Sequence, residues 1–418
     1  MSTSEMSTKR HWKRNYFTIL IGQTFSQVTS GALQMAIVFY LTLKTGSSMV
    51  LSMATMMGFL PQAVLGPFIG TLIDRHSRKK IMITSDLVIA GAAAILAFIA
   101  TYRELPVWMI MLVLLIRSIG TAFHTPASGA ITPMIVPEEA LTKCTGYNQS
   151  MQAIGYILSP AIAGVLYAAW PLEAIIMLDV FGAVVASISV ALIHIPDPKK
   201  DKSSEKANYL QDTLDGYRAL RENKDLFGMV WVGTIYMFFY MPISALFPLM
   251  SISYFGGTPV HSSITEVAFA VGMLLGGFAL SHWKGFKNRM TTIGISIFVM
   301  GFCMALSGLL PRGFFPMFVV FCTIMGFSAP FYGLRNVLFQ EQIAPEYLGR
   351  CFSLLWSTIS LAMPVGLFFS GIFAEKIGVE KWFILCGVSI LFVAASTFVI
   401  PTLRTADRKY QDSLVSEE

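Results

Sequence analysis

The chain has 418 residues, of which 55% are hydrophobic and only 13% charged, with a mean hydropathy of +0.64. A soluble globular chain carries roughly 25% charged residues, so this composition excludes a disordered protein and argues against a soluble enzyme. A net charge of +6 would raise the question of nucleic acid in a soluble domain, but here the basic residues fall in loops between apolar runs, and no nucleic-acid partner is expected.

A membrane helix needs about 20 mostly apolar residues. Twelve such stretches follow one another, approximately at 16–42, 49–73, 81–102, 106–134, 146–169, 172–195, 226–251, 262–283, 289–310, 314–338, 347–373 and 381–402. The expected fold class is an all-α membrane protein with twelve transmembrane helices in two six-helix bundles. A tail over 1–15 precedes a first bundle over 16–195, and a polar loop over 196–225 leads to a second bundle over 226–402 and a tail over 403–418. The start is basic, but the first apolar run has full spanning length and no A-x-A site, so it is expected to insert uncleaved. An even number of spans puts both termini on one face. That face carries 23 of the 30 Lys and Arg and the opposite face 5, while Arg117 and Arg335 fall within or at the ends of helices. The positive-inside rule then predicts cytoplasmic termini. No stretch outside the membrane reaches the roughly 50 residues of a small domain, so function must reside in the membrane part.

In the first helix, Gln23, Gln27, Ser30 and Gln34 recur at spacings that place them on one face. Glutamines against lipid are costly, so this face is expected to line a cavity or another helix. Between the second and third helices runs GPFIGTLIDRHSRKK. There Gly70 lets a helix backbone approach its neighbour. Asp74 among Arg75, Arg78 and Lys79 can form a breakable ionic latch at the membrane edge; the alternative is a positive-inside anchor. Asp86 in the third helix lies near that cationic loop, and a structural role is expected for it.

Arg117 lies near the middle of the fourth helix, where a charge costs at least ~2.5 kcal/mol on insertion scales. It is expected to face a cavity or a partner, the structural alternative being an ion pair with Asp74 or Asp86. His124 in the same helix is a lone histidine, more often structural than functional. The fifth helix holds Gly155, Ser159, Pro160, Ala163 and Gly164, small residues and a proline that give a kinked, closely packed face. Asp179 and Glu266, like Asp86, lie roughly 8–12 Å inside the helix ends at 1.5 Å per residue, a depth where a carboxylate needs a partner or a proton. In the central loop, Leu210, Leu214, Tyr217 and Leu220 have the spacing of a short amphipathic surface helix. Tyr236, Tyr240 and Trp356, with 24 methionines in the chain, could make an adaptable apolar pocket; bundle packing is the alternative.

The halves resemble each other locally. Lys143-Cys144 and Arg350-Cys351 are 207 positions apart, as are Gly164 and Gly371, and each half has an internal proline, Pro160 or Pro364. Six plus six helices with weak internal repetition suits a two-bundle transporter. The 5 cysteines form no C-x-x-C pair and suggest no disulfide framework. The sequence has no Walker loop, H-E-x-x-H or dinucleotide fingerprint, and no spacing suggests hydrolysis. Neither an enzyme, a metal nor a cofactor is expected.

The loop at Gly70, Leu72, Asp74, Arg75, Arg78 and Lys79 resembles the major facilitator superfamily signature G-x-L-a-D-r-x-G-r-k, with Ser77 where that pattern has glycine. The fifth helix resembles the antiporter motif G-x-x-x-G-P-x-x-G-G of drug-proton exporters, with Ser159 and Ala163 in place of two glycines. Arg117 resembles the fourth-helix arginine of such exporters, which implies a part in proton transfer, although Gly120 follows it by three residues rather than four. Longer stretches, among them LQMAIVFYLTLKTGSSMVLSMA and PEYLGRCFSLLWSTISLAMPVGL, are similar to the Mef-type macrolide exporters of Gram-positive bacteria, from about Trp12 through the twelfth helix. The resemblance implies export of macrolides from the cytoplasm or inner leaflet of a bacterial cell membrane by alternating access, and one chain with two bundles could work as a monomer. The implied driving force is the proton-motive force, and the implied partners are protons, a macrolide-like small molecule and the bilayer. Asp86, Asp179 and Glu266 become candidates for proton coupling beside Arg117. The alternatives are a carrier of another amphiphilic drug, lipid or small metabolite, and a non-transporting membrane protein.

Overall fold

The computed structural model describes residues 12–195, 217–218, 221, 224–283, 285–343, 345–403 and 407, and all regular structure among them is helical. The chain divides into two compact units, Met1–Thr45 with Met53–Lys202 and Gly46–Ser52 with Ser203–Glu418. The first unit holds α1 (Trp12–Thr45), most of α2 (Ser48–Arg75), α3 (Arg78–Tyr102), α4 (Val107–Ile135), α5 (Leu141–Ala169) and α6 (Leu172–Ala191). The second holds α7 (Lys224–Leu249), α8 (Pro259–Trp283), α9 (Arg289–Leu309), α10 (Phe315–Tyr332), α11 (Leu334–Gln342), α12 (Pro345–Ile377) and α13 (Val379–Val399).

Among the described residues, 11 segments are long and apolar enough to cross a membrane, α10 and α11 together making one of them, Phe315–Gln342. Helix α1 is also long enough, at 34 residues; its glutamines, serines and threonines dilute its apolar character. Two expected helices have a different form. The tenth breaks after Tyr332, where Pro330 withholds a backbone N–H and the Gly333 N–H turns back to the Pro330 carbonyl at 2.9 Å. The seventh, carrying Pro242 and Pro248, runs on as a π-turn over Met250–Tyr254.

In the first unit, small residues set the helix spacing. A Cβ on Gly31 of α1 would stand 2.7 Å from the Ser159 Cβ of α5, and one on Gly182 of α6 would meet the Thr29 hydroxyl of α1. Both helices therefore lie against α1 closely enough for polar side chains to reach across. The Tyr16 hydroxyl donates to the Cys144 carbonyl at 2.8 Å, joining α1 to α5 at one end. Around it pack Ile69, Ile73, Met82, Ile131, Ile135 and Val190. Lys79 donates to the carbonyls of Ala191 and Ile193, each at 2.7 Å, closing the C-terminus of α6 where backbone acceptors lack helical partners.

In the second unit, Phe247, Phe318 and Phe383 meet with ring centroids 5.9–6.3 Å apart and tie α7, α10 and α13 together. The Glu375 carboxylate accepts from the hydroxyls of Ser47 (3.0 Å) and Ser48 (2.9 Å) and from the Met49 N–H (3.2 Å), placing negative charge at the first turn of α2.

Candidate functional site

The polar stripe of α1 meets the buried charges of the first unit. Ser30 donates to Asp179 Oδ1 at 2.5 Å, and Arg117 of α4 forms an ion pair with Asp179 Oδ2 of α6. Asp179 is 1% and Arg117 8% exposed. Each charge thus has its partner in a setting where an unpaired ion costs several kcal/mol. The close approach at Gly182, one turn from Asp179, brings α6 within reach of Ser30.

Arg117 also faces a cavity of about 250 Å³. Gln34, Thr55, Gln62, Ser118 and Thr121 supply its other polar groups, and Phe59 and Leu114 its apolar wall. Ser118 donates to the Gly58 carbonyl at 2.6 Å, fixing α4 against α2 beside this space. A drug-sized site measures about 300–1,000 Å³, so the cavity matches part of a bulky ligand. Its chemistry is a fixed guanidinium among amides and hydroxyls, suited to oxygen-rich groups.

Asp86 and His124 also meet, with Asp86 Oδ1 3.3 Å from His124 Nε2. The partner of Arg117 is therefore Asp179, where the sequence had offered Asp74 or Asp86. Gly70, Asp74 and Arg75 lie outside the residues whose side chains are described. Arg78 Nη1 contacts Met134 Sδ at 2.8 Å, within the first unit. Gly155, Ser159, Pro160, Ala163 and Gly164 are all buried. Ser159 donates to the Val28 carbonyl at 3.3 Å, and a Cβ on Gly155 would lie 3.2 Å from Gln27 Nε2, so this face carries the contact of α5 with α1. Gln23 Nε2 is buried without a hydrogen-bond partner among the described residues. Leu210, Leu214 and Leu220, expected on a surface helix, lie outside the described residues.

In the second unit, Tyr236 stacks on Tyr240 with centroids 5.4 Å apart and lies 4.7 Å from the Tyr332 ring. Sequence reasoning passed over the end of this row, Arg335. It is 4% exposed, donates to the Tyr332 hydroxyl at 2.5 Å and lies 4.7 Å over the Tyr332 ring. Gly233 leaves the room, since a Cβ there would reach Arg335 Nη1 at 2.5 Å. The signal that singled out Arg117, a charge inside an apolar run, applied equally to Arg335. Glu266 lies near enough to Tyr240 and Cys322 for electrostatic interaction. Trp356 of α12 is 50% exposed and stands apart from these contacts.

Residues 19–366 match the model of the Major Facilitator Superfamily. The chain is 56% identical over 405 residues to Macrolide efflux protein A of Streptococcus pyogenes, covering 97% of this chain and 100% of that protein. It is 58% identical over 323 residues to Macrolide efflux protein A of Enterococcus faecalis, covering 77% of this chain and 100% of that one. The crystal structure of the nucleoside transporter NupG superposes with a TM-score of 0.68 at 16% identity, over 92% of this chain and 98% of that chain. The chain belongs to the Major Facilitator Superfamily.

Proposed function

We propose that this chain exports macrolide antibiotics from the cytoplasm or inner leaflet, driven by proton antiport through alternating access. It spans the bacterial cell membrane with both termini in the cytoplasm and works as a monomer of two bundles, 16–195 and 226–402. The observation that carries the transport reading is Arg117, which lines a cavity on one side and is held by buried Asp179 on the other. A charge kept at membrane depth marks a pathway for ions or substrate. The macrolide part rests on the similarity to the two macrolide efflux proteins. The antiport part rests on ionisable groups gathered beside the cavity and on the closely packed α5 face. In this reading Asp74, Arg75 and Arg78 act as the cytoplasmic latch.

Labelled erythromycin accumulation in drug-sensitive Gram-positive cells tests this. Cells making the protein should accumulate less drug than the empty host. A protonophore should abolish the difference, and so should Arg117→Ala in a variant shown to reach the membrane. Accumulation equal to that of the empty host rejects erythromycin as the substrate. A difference that survives the protonophore rejects proton coupling.

A further inference from the structure

Beside the cavity, four ionisable side chains from three helices of the first unit form one buried group: Asp86 of α3, Arg117 and His124 of α4, and Asp179 of α6. Asp179 and Ser187 of α6 are the neighbours that act on Asp86. Helix α1 adds the neutral Ser30, and α2 adds the Gly58 carbonyl to the neighbouring Ser118. Helices α3 and α4 meet closely because position 120 is glycine: a Cβ there would stand 2.6 Å from the Ile89 side chain. One turn further along α4, His124 Nε2 comes to 3.3 Å from Asp86 Oδ1, the two side chains being 18% and 8% exposed. Neither Asp86 Oδ2 nor His124 Nε2 makes a hydrogen bond among the described residues, so the 3.3 Å approach leaves room for a proton to complete one.

The charges of this group do not cancel with a neutral imidazole. The group holds two carboxylates and one guanidinium, which leaves one negative charge, and a net charge buried at membrane depth is expensive. One added proton brings the group to zero. Arg117 cannot be the group that exchanges it, because a guanidinium stays protonated. Both oxygens of Asp179 are already engaged, Oδ2 by Arg117 and Oδ1 by Ser30. That leaves the couple of Asp86 and His124.

We propose that Asp86 and His124 together form the exchange site for the coupled proton, holding it between Asp86 Oδ1 and His124 Nε2. This rests on the proton-antiport reading above and names the groups that carry it out. Only N–H and O–H bonds form and break. The proton arrives from water on the outer side, is shared by the pair, and returns to water on the cytoplasmic side. Bound, it leaves the four-residue group neutral; released, it leaves one negative charge. His124 thus acquires a role that a lone histidine in an apolar helix does not suggest, and Asp86 becomes more than an anchor for the cationic loop.

The test uses the full-length protein in inside-out membrane vesicles, with labelled erythromycin as the probe. Two activities are measured: uptake driven by an acid-inside pH gradient, and exchange of labelled for preloaded unlabelled drug at equal pH. Exchange needs the moving site but no net proton transfer. Asp86→Asn and His124→Gln should each lower driven uptake about tenfold or more while exchange persists, and Asp86→Glu should restore driven uptake. Persisting exchange also shows that the variants fold, as the charge count anticipates for Asp86→Asn, which mimics the proton-bound group. Driven uptake at the wild-type level in both variants overturns the proposal. Loss of driven uptake and exchange together overturns it as well, since that pattern belongs to a structural role. So does retention of driven uptake in these variants with its selective loss in Glu266→Gln. A wild type that exchanges drug yet ignores the gradient defeats the antiport reading itself, a result distinct from any difference between variants.

Discussion

At the scale of single residues, the first unit shows how a membrane protein accommodates buried charge. Arg117 is held by Asp179, whose remaining oxygen accepts from Ser30. Removing one member strands the other, which typically costs about 3–5 kcal/mol, whereas replacing both with apolar residues is often neutral. Asp179→Asn is therefore expected to lower stability by about that amount. The double variant Arg117→Met, Asp179→Leu should be more stable than Asp179→Asn alone, although inactive. Thermal unfolding of purified protein in detergent measures both. A double variant less stable than the single one would show that the pair contributes more than mutual compensation. The sequence exposed Arg117 because a cation in an apolar run is rare and costly. It could not expose the partner, 62 positions away on α6, because that pairing depends on how α1, α4 and α6 meet. Thr55 and Gln62 of the cavity wall were missed for a related reason: a single threonine or glutamine in an apolar helix carries no signature until its neighbours are known.

At the scale of elements, the spans were legible because a run of about 20 apolar residues is long enough to cross the hydrocarbon core and too apolar to leave in water. The break at Gly333 and the π-turn after Leu249 were not, since both are local responses to prolines inside apolar runs that hydropathy alone cannot separate. The small-residue face of α5 was legible as a packing surface, and its contact can now be specified. Gly31 and Ser159 oppose each other across the α1 and α5 contact. Gly31→Ala forces a methyl group into the space of the Ser159 side chain, an overpacking that typically costs about 1–3 kcal/mol. Adding Ser159→Gly removes the obstructing atoms, so the double variant should recover most of the lost stability. Unfolding midpoints in detergent for wild type, both single variants and the double would show this as non-additivity. Strictly additive losses would mean the helices are not in contact at this pair.

At the scale of the whole molecule, the distribution of positive charge fixes how the chain should sit in the bilayer. The face proposed to be cytoplasmic carries 23 of the 30 Lys and Arg, and the opposite face 5. An excess of that size usually determines orientation because translocating clustered cations is disfavoured. The protein suits a direct test, because all five of its cysteines are buried. An impermeant maleimide should therefore react weakly with the unmodified protein in intact cells. Gly313 lies in the turn before α10, exposed and with open space where a Cβ would stand, so Gly313→Cys adds a thiol to the face proposed to be external. Ser416→Cys places one near the C-terminus. In intact protoplasts Gly313→Cys should label and Ser416→Cys should not, and lysis should make both reactive. The reverse pattern would invert the orientation. The cationic loop around Arg78 and Lys79 would then face the outside, and the direction of transport, together with the sides from which the coupled proton enters and leaves, would have to be reversed.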